Sequence, residues 1–301
     1  MSDTKTIKSK LQSIENIRKI TKAMELVARS KMKKTIDRVL AIRPYAFFAL
    51  EFLVNFSTHS SAVSSFFIPA DGNKTLIVEI AANKGLCGGY NSNMYREIRT
   101  YISSIEKLDT IDYIAVGKYA VQHVKKLNGN VLRAFTDFSP DVSYEQIQTL
   151  SHTIFSEWKT GNYKKIIIGF TTFKSTLSQK PVVKQLLPLS AEMFKNQIFI
   201  TGGEENWTTI PQQMYKRNWS QFIIEPSETA ILELIIPKLI TVQIYHALLD
   251  AYASEESSRM VAMKSATENA DKLGNELLLS FNHLRQEGIT RELSEIAAGN
   301  I

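Results

Sequence analysis

The sequence predicts a mixed α/β architecture: a long antiparallel coiled coil of N- and C-terminal helices, with an α/β domain inserted between them. Three observations predict it. Apolar residues recur at steps of three and four near both chain ends, where helix breakers are sparse. The middle of the chain changes to short β-branched runs separated by helical stretches. The ends also differ in charge: residues 1–43 carry twelve Lys/Arg against four Asp/Glu, and residues 246–301 carry five against nine.

In the N-terminal element, residues 1–58, one helical face collects Ile7, Leu11, Ile14, Ile17, Met24, Ala28, Met32, Ile36 and Val39, with Thr21 filling the gap. No Gly or Pro precedes Pro44, so the helix is long. Pro44 removes a backbone donor and clashes with the preceding turn, so it is expected to kink or end the helix. "AFFALEFLVNF" (46–56) then resumes as an apolar helical segment.

In the middle section, 73–226, "TLIVEIA" (75–81), "DYIAVG" (112–117) and "KKIIIGF" (164–170) are runs of the type buried in a parallel sheet. Helical stretches fall near 91–107, 118–127 and 142–160. The alternation predicts a Rossmann-like α/β layer domain. "PVVKQLLPL" (181–189) is expected to add a strand, at an edge because of its prolines. "TGGEENWTT" (201–209) reads as a loop.

The C-terminal element, 227–301, opens with Ser227 as a helix cap and Glu228 in the first turn. From there to Ala298 the breakers are Pro237, Gly274 and Gly288. A helix of about 70 residues would run about 105 Å, and one so long needs a partner along its length. The basic N-terminal helix fits beside the acidic one, antiparallel because a whole domain separates them. A domain of about 150 residues is only about 30 Å across. Helices of this length are therefore expected to project from it as a rod.

Hydrophobic residues make up 44% of the 301 and charged residues 22%, which is ordinary for a globular chain. The net charge of +6 permits an acidic partner without requiring one. The one cysteine, Cys87, excludes an internal disulfide and suits a reducing compartment. The five histidines form no close pair, so no zinc site is expected. Residues 1–10 lack the apolar stretch of a secretory signal, and Asp3, Glu15, Glu25 and Asp37 fit an organelle transit peptide poorly. The apolar run 231–240 is short and holds Glu233, Pro237 and Lys238, so it is not expected to span a membrane.

"NKGLCGGYN" (83–91) follows a strand and precedes a helix, where phosphate-binding loops sit. It matches neither G-x-G-x-x-G nor G-x-x-x-x-G-K-[ST], and Gly85, Gly88 and Gly89 read better as a tight turn. Cys87 is either a reactive thiol at a helix N-terminus or a small buried hydrophobe. "ASEESSRMVAMKSATENA" (253–270) is rich in small residues, which permit close helix approach or a smooth surface against a partner. Met24, Met32, Met260 and Met263 offer an adaptable surface or plain core. Arg285, Gln286, Arg291 and Glu292, near the end of the rod, are either solvated or docked into a partner. No Ser/His/Asp set, paired carboxylates or metal cluster stands out. The residues read as a mechanical or interaction protein, with no catalytic, cofactor-binding or metal-binding set.

Four stretches carry a family resemblance: "IKSKLQSIENIRKITKAMELVARSKMKK" (7–34), "GLCGGYN" (85–91), "ASEESSRMVAMKSATENA" and "FNHLRQEGITRELSEIAAG" (281–299). In sequence and order they closely resemble the γ subunit of F-type ATP synthases, over essentially the whole chain. The resemblance implies a non-catalytic central rotary shaft. Its helices would enter a ring of three α and three β subunits, and its foot would sit with the ε subunit on the membrane c ring. Ion flow would turn the ring and shaft, coupling rotation to ATP synthesis in the head, from the cytoplasmic face of a bacterial plasma membrane. It implies no cofactor and no nucleic acid. Met24 resembles the shaft methionine facing a β-subunit loop. Arg285, Gln286 and Thr290 resemble the polar set that catches that loop, and Glu255 and Arg259 resemble partners in the same coupling region. Glu292 and Glu295 also lie at matching positions. Phe222, Ile223 and Ile224 in "FIIEP" match a foot contact to the c ring loosely.

There are departures. Ala82, Asn83 and Lys84 stand where the family usually has Ser-Asp-Arg, so a salt bridge made there in the family does not carry over to this chain, whereas the turn does. With no second cysteine, a chloroplast-type thiol switch is not expected, and the N-terminus fits a bacterial or a mature organelle chain. Two rival readings remain at this point. A nucleotide-dependent enzyme would bind ATP or a dinucleotide directly. A coiled-coil adaptor or nucleic-acid clamp would leave the basic face exposed, with binding that falls steeply with salt; the shaft reading instead covers that face with the acidic helix and the α/β ring.

Overall fold

In the computed structural model, residues 2–59, 65–105, 110–189 and 227–299 are described. Along the chain come α1 (Ser2–His59), β1 (Lys74–Ile80), α2 (Tyr90–Ser104), β2 (Thr110–Val116), α3 (Lys118–Lys126), β3 (Asn130–Phe135), α4 (Tyr144–Lys159), β4 (Tyr163–Ser175), β5 (Ser178–Leu187) and α5 (Glu228–Gly299). The chain divides into two compact units, one of Met1–Ser30 with Arg259–Ile301 and one of Lys31–Ser258. The division falls inside both long helices, whereas the sequence reading divides the chain near their ends. α1 continues through Pro44 to His59 rather than ending at the proline. The expected loop at 201–209 and the "FIIEP" segment lie outside the described residues.

The first unit is an antiparallel helix pair. Thr21 Oγ1 meets Thr267 Oγ1 at 2.8 Å, Arg18 faces Asp271 at 3.6 Å, and a Cβ on Gly274 would lie 3.7 Å from Ile14. The seam differs from the expected one. The seam runs through 7, 11, 14, 18, 21, 25 and 28 of α1 and through 260, 263, 267, 270, 274, 277, 281 and 284 of α5, with 15 and 24 of α1 and 259, 262, 266 and 282 of α5 shielded beside it. Both follow alternating steps of three and four, the heptad spacing of a coiled coil. Ile17 therefore turns outward, 48% exposed, and Thr21 turns inward as expected, while Arg18 and Glu25 take the seam places expected of Ile17 and Met24. A tally of apolar residues drifts off this stripe because those two places are charged.

The charge complementarity between the helices is also weaker than expected. Most ion pairs here lie within one helix: Arg18 and Lys19 with Glu15, Lys22 and Arg29 with Glu25, and Lys264 with Glu268. Arg18–Asp271 crosses between the helices, but both side chains are well exposed, and such pairs contribute about 0–1 kcal/mol. The basic face of α1 is not covered by α5: Lys19 and Arg29 stay more than half exposed.

The second unit contains a five-stranded sheet in the order β3-β2-β1-β4-β5. β1 pairs in parallel with β2 and β4, β2 in parallel with β3, and β5 closes one edge antiparallel to β4. This is the doubly wound arrangement expected of βαβ units. β5 is an edge strand, as its prolines require, with Pro181 opposite Thr171. β3 was not anticipated: "NVLRAF" is mostly exposed and lacks a long β-branched run, because it forms the other edge.

One sheet face packs on α4 and on the first part of α5. There Leu76, Val78, Ile114, Ile166 and Ile168 join Ile147, Leu150 and Ile154 of α4 and Ile236, Ile240, Ile244 and Leu248 of α5. α5 is long and apolar enough to span a bilayer, but this stretch spends its apolar face on the sheet. On the other face Ile77, Tyr113 and Ile167 lie with Val124 of α3, and α2 packs so closely that a Cβ on Gly169 would meet Met94 at 3.1 Å. Ser227 caps α5 as expected, accepting from the Ala230 amide at 3.2 Å.

Candidate functional site

Most of the sequence-predicted coupling residues fall on the helix pair. Facing residues sum to about 288 (21 with 267, 14 with 274), so the start of α1 lies opposite residue 286 of α5. Arg285 and Gln286 lie level with the first residues of α1 and Thr290 one turn further along α5, and all three are exposed. Thr290 Oγ1 donates to the Gln286 carbonyl at 3.0 Å, which spends the threonine hydroxyl on its own helix and leaves the Gln286 amide at the surface. Ile289 and Leu293 are also exposed, each by half or more. This part of α5 is thus a helix with both apolar and polar groups open to solvent, as a docking surface requires. Glu292 and Glu295 lie on the same helix, inside α5.

Met24 is half-buried beside the seam rather than in it. Its neighbour Glu25 is the buried one, 2% exposed, and its carboxylate accepts from Lys22 at 3.0 Å and Arg29 at 3.5 Å. A carboxylate in a helix seam is costly unless it is paired, and the two cations on the adjoining turns supply the pairing. Arg259, in the first unit, and Glu255, in the second, are both buried. Phe222, Ile223 and Ile224 lie outside the described residues.

In the second unit the small residues of α5 have a defined use. Ser254 donates to the Thr171 carbonyl at 3.2 Å and Ser257 to the Thr176 carbonyl at 2.8 Å. Ser258 donates to Gln179 Oε1 at 3.1 Å. These hydroxyls dock α5 on the β4–β5 hairpin, which resolves that part of the small-residue stretch as close packing rather than a free smooth surface.

The "GLCGGYN" turn is a structural junction. Leu86 and Gly88 adopt left-handed φ of 62° and 57°. Asn91 Oδ1 accepts from the Ala82 amide at 3.0 Å. Asn83 Oδ1 accepts from the Lys118 amide at 2.9 Å, while its amide nitrogen donates to the Phe138 carbonyl. The asparagine thus ties three loops together without charge. Cys87 is buried in this turn, 3% exposed, as a small hydrophobe would be. Beneath the turn lies a pair that motif reading missed. Glu79 of β1 is fully buried, and both its oxygens lie within 3.1 Å of His123 Nδ1. Burial pushes the Glu79 carboxyl up from its ordinary value, and the His123 contact opposes that shift. A lone glutamate inside the apolar run "TLIVEIA" is the signal that could have revealed it. Among the described residues no group of three or more His, Cys, Asp or Glu is placed to hold a metal ion.

Comparison with known proteins places this geometry. A sequence model of the ATP synthase family matches residues 3–300. The ATP synthase gamma chain of Haemophilus influenzae (strain PittEE) is 33% identical over 305 residues, covering 99% of each chain. The chain belongs to the ATP synthase gamma chain family. The gamma chain of Paraburkholderia xenovorans (strain LB400) is 34% identical over 306 residues, again covering 99% of each. Among solved structures, a chain of the Euglena gracilis mitochondrial ATP synthase (OSCP/F1/c-ring, rotational state 3) matches with a TM-score of 0.65 at 21% identity. That match covers 99% of this chain and 93% of the other, and at that identity it speaks for the fold alone. The gamma chain relatives agree in length with this chain, so both terminal helices and the sheet unit belong to the shared architecture.

Proposed function

We propose that this gamma chain is the central rotary shaft of an F-type ATP synthase, a non-catalytic subunit that couples ion-driven rotation of the membrane c ring to ATP synthesis in the α/β head. Its partners are three α and three β subunits, an ε subunit and the c ring, the last through the segment holding Phe222, Ile223 and Ile224. It works at the cytoplasmic face of a bacterial plasma membrane as a peripheral component. The observation that carries this reading is the gamma chain match over 99% of both chains, in a chain whose last turns of α5 expose both polar and apolar side chains.

The mechanism follows from asymmetry. A single shaft contacts three chemically equivalent β subunits, so at any moment each meets a different side of it. A contact can bias a subunit only by its differential affinity for that subunit's states. Arg285, Gln286 and Thr290 present charge and hydrogen-bonding groups to this contact, with Glu292 and Glu295 further along the same helix. Met24 supplies an adaptable thioether beside the seam. Glu255 and Arg259, being buried within the chain, act by holding the helix in place. The test is Arg285→Ala and Gln286→Ala in the assembled complex. The reading predicts normal assembly and continued ATP hydrolysis with reduced ATP-driven ion pumping. Full pumping in both variants would remove these residues from the coupling contact.

A further inference from the structure

A cleft of about 560 Å³ lies between the β1–α2 turn, α2 and α3, and the shaft reading makes no use of it. That volume lies within the range of small-molecule sites. Its position, beside the turn that leaves the carboxyl end of β1, is where doubly wound sheets bind ligands. Its wall carries two cations, Arg99 and Lys126, and two half-buried aromatic rings, Tyr95 and Tyr119, with no carboxylate among the lining residues.

A second observation is independent of the shape. His123 also lines the cleft and is 4% exposed. Its Nδ1 is held by Glu79 at 2.9 Å, and its ring stacks on Tyr95 at 3.9 Å with 9° between planes. Its other nitrogen, Nε2, is buried and has no hydrogen-bond partner. A buried polar atom left unmatched costs about 1–3 kcal/mol. An imidazole so firmly held by a carboxylate and a ring leaves Nε2 fixed and free for a further partner.

We propose that this cleft binds a small aromatic phosphate, with its phosphate between Arg99 and Lys126, its ring against Tyr95 or Tyr119, and a polar ring atom at His123 Nε2. Two positive charges without a lining carboxylate match a phosphate monoester, which carries about −1.5 to −2 at neutral pH. The nearby carboxylate of Glu79 faces His123 and is not part of the cleft wall. Recognition rests on these side chains and not on a glycine-rich phosphate loop, which is why the turn sequence matches neither nucleotide pattern.

The test titrates the full chain with AMP, adenosine and inorganic phosphate, following the His123 imidazole resonance, assigned with His123→Gln. AMP should saturate with a Kd at or below about 1 mM and move that resonance, with adenosine and phosphate each at least about tenfold weaker. Arg99→Gln/Lys126→Gln alters exposed side chains only, so it should keep the fold and weaken AMP at least about tenfold. No saturable change with AMP, a His123 resonance that stays in place, or equal AMP binding by the double variant would each overturn the proposal. Phosphate binding as tightly as AMP would overturn the assigned ligand class.

Discussion

The threonine pair at the α1–α5 seam yields a prediction whose size follows from proton counting. Thr21 Oγ1 lies within hydrogen-bond distance of the Arg18 carbonyl at 3.1 Å, of Thr267 Oγ1 at 2.8 Å, and Thr267 Oγ1 lies 2.9 Å from the Met263 carbonyl. Three contacts share two hydroxyl protons. One threonine must therefore donate across the seam while the other donates to its own helix. In Thr21→Val the remaining Thr267 hydroxyl turns to Met263, and in Thr267→Val the Thr21 hydroxyl turns to Arg18, so neither single change strands a donor. Each loses one cross-seam hydrogen bond, about 0.5–1.5 kcal/mol, and gains burial of about one methyl, about 0.8 kcal/mol. Helix propensities of Thr and Val are close enough not to disturb the comparison. Each single variant should thus change local stability by less than about 1 kcal/mol. The double variant loses both hydroxyl bonds and gains two methyls, so its change should equal the sum of the two single changes to within about 0.3 kcal/mol. Native-state amide hydrogen exchange at 18–28 and 263–270 reads that local stability directly. A coupling larger than about 0.5 kcal/mol would refute the shared-proton reasoning.

Three further outcomes are expected. Glu79 has a folded-state pKa raised by burial, so its contribution to stability is fully present below its unfolded value of about 4.3 and is lost as pH rises through the folded one; Glu79→Gln should flatten the stability profile above pH of about 4.3 in denaturant melts. Gly117 has φ of 98°, and a Cβ there would meet the Ala81 carbonyl oxygen at 2.1 Å, so Gly117→Ala should cost more than about 2 kcal/mol, read by the fluorescence of the buried Trp158. Ile240→Ala empties a fully buried site between α5 and the sheet and should cost about 2–5 kcal/mol, whereas Leu177→Ser at the 84% exposed hairpin tip should stay within about 0.5 kcal/mol.

Much of the fold was legible because its signals are local. β1, β2 and the start of β4 are continuous apolar runs, and only a strand covered on both faces needs "TLIVEIA" or "KKIIIGF". β3 escaped because an edge strand needs no such run, and exposed Leu132 and Arg133 conceal it. The heptad seam was read correctly at Thr21 but mistaken by one position at two turns, since Arg18 and Glu25 occupy shielded places that a hydrophobic count assigns to Ile17 and Met24. The helix register could not be read from charge, because the two helices pair mostly by packing and the Thr21–Thr267 contact. Glu79 and His123 are 44 residues apart and meet only through the βαβ topology. Nothing in either local sequence announces the other, nor the cleft they border.

The central claim is that one copy of this chain stands inside a ring of three α and three β subunits. Native mass spectrometry of the tagged chain, purified gently from its own cells, tests it most directly. The account predicts a particle with one copy of this chain and three each of the α and β subunits. A bare monomer or homo-oligomer, under conditions in which the ATPase head survives intact, would contradict it.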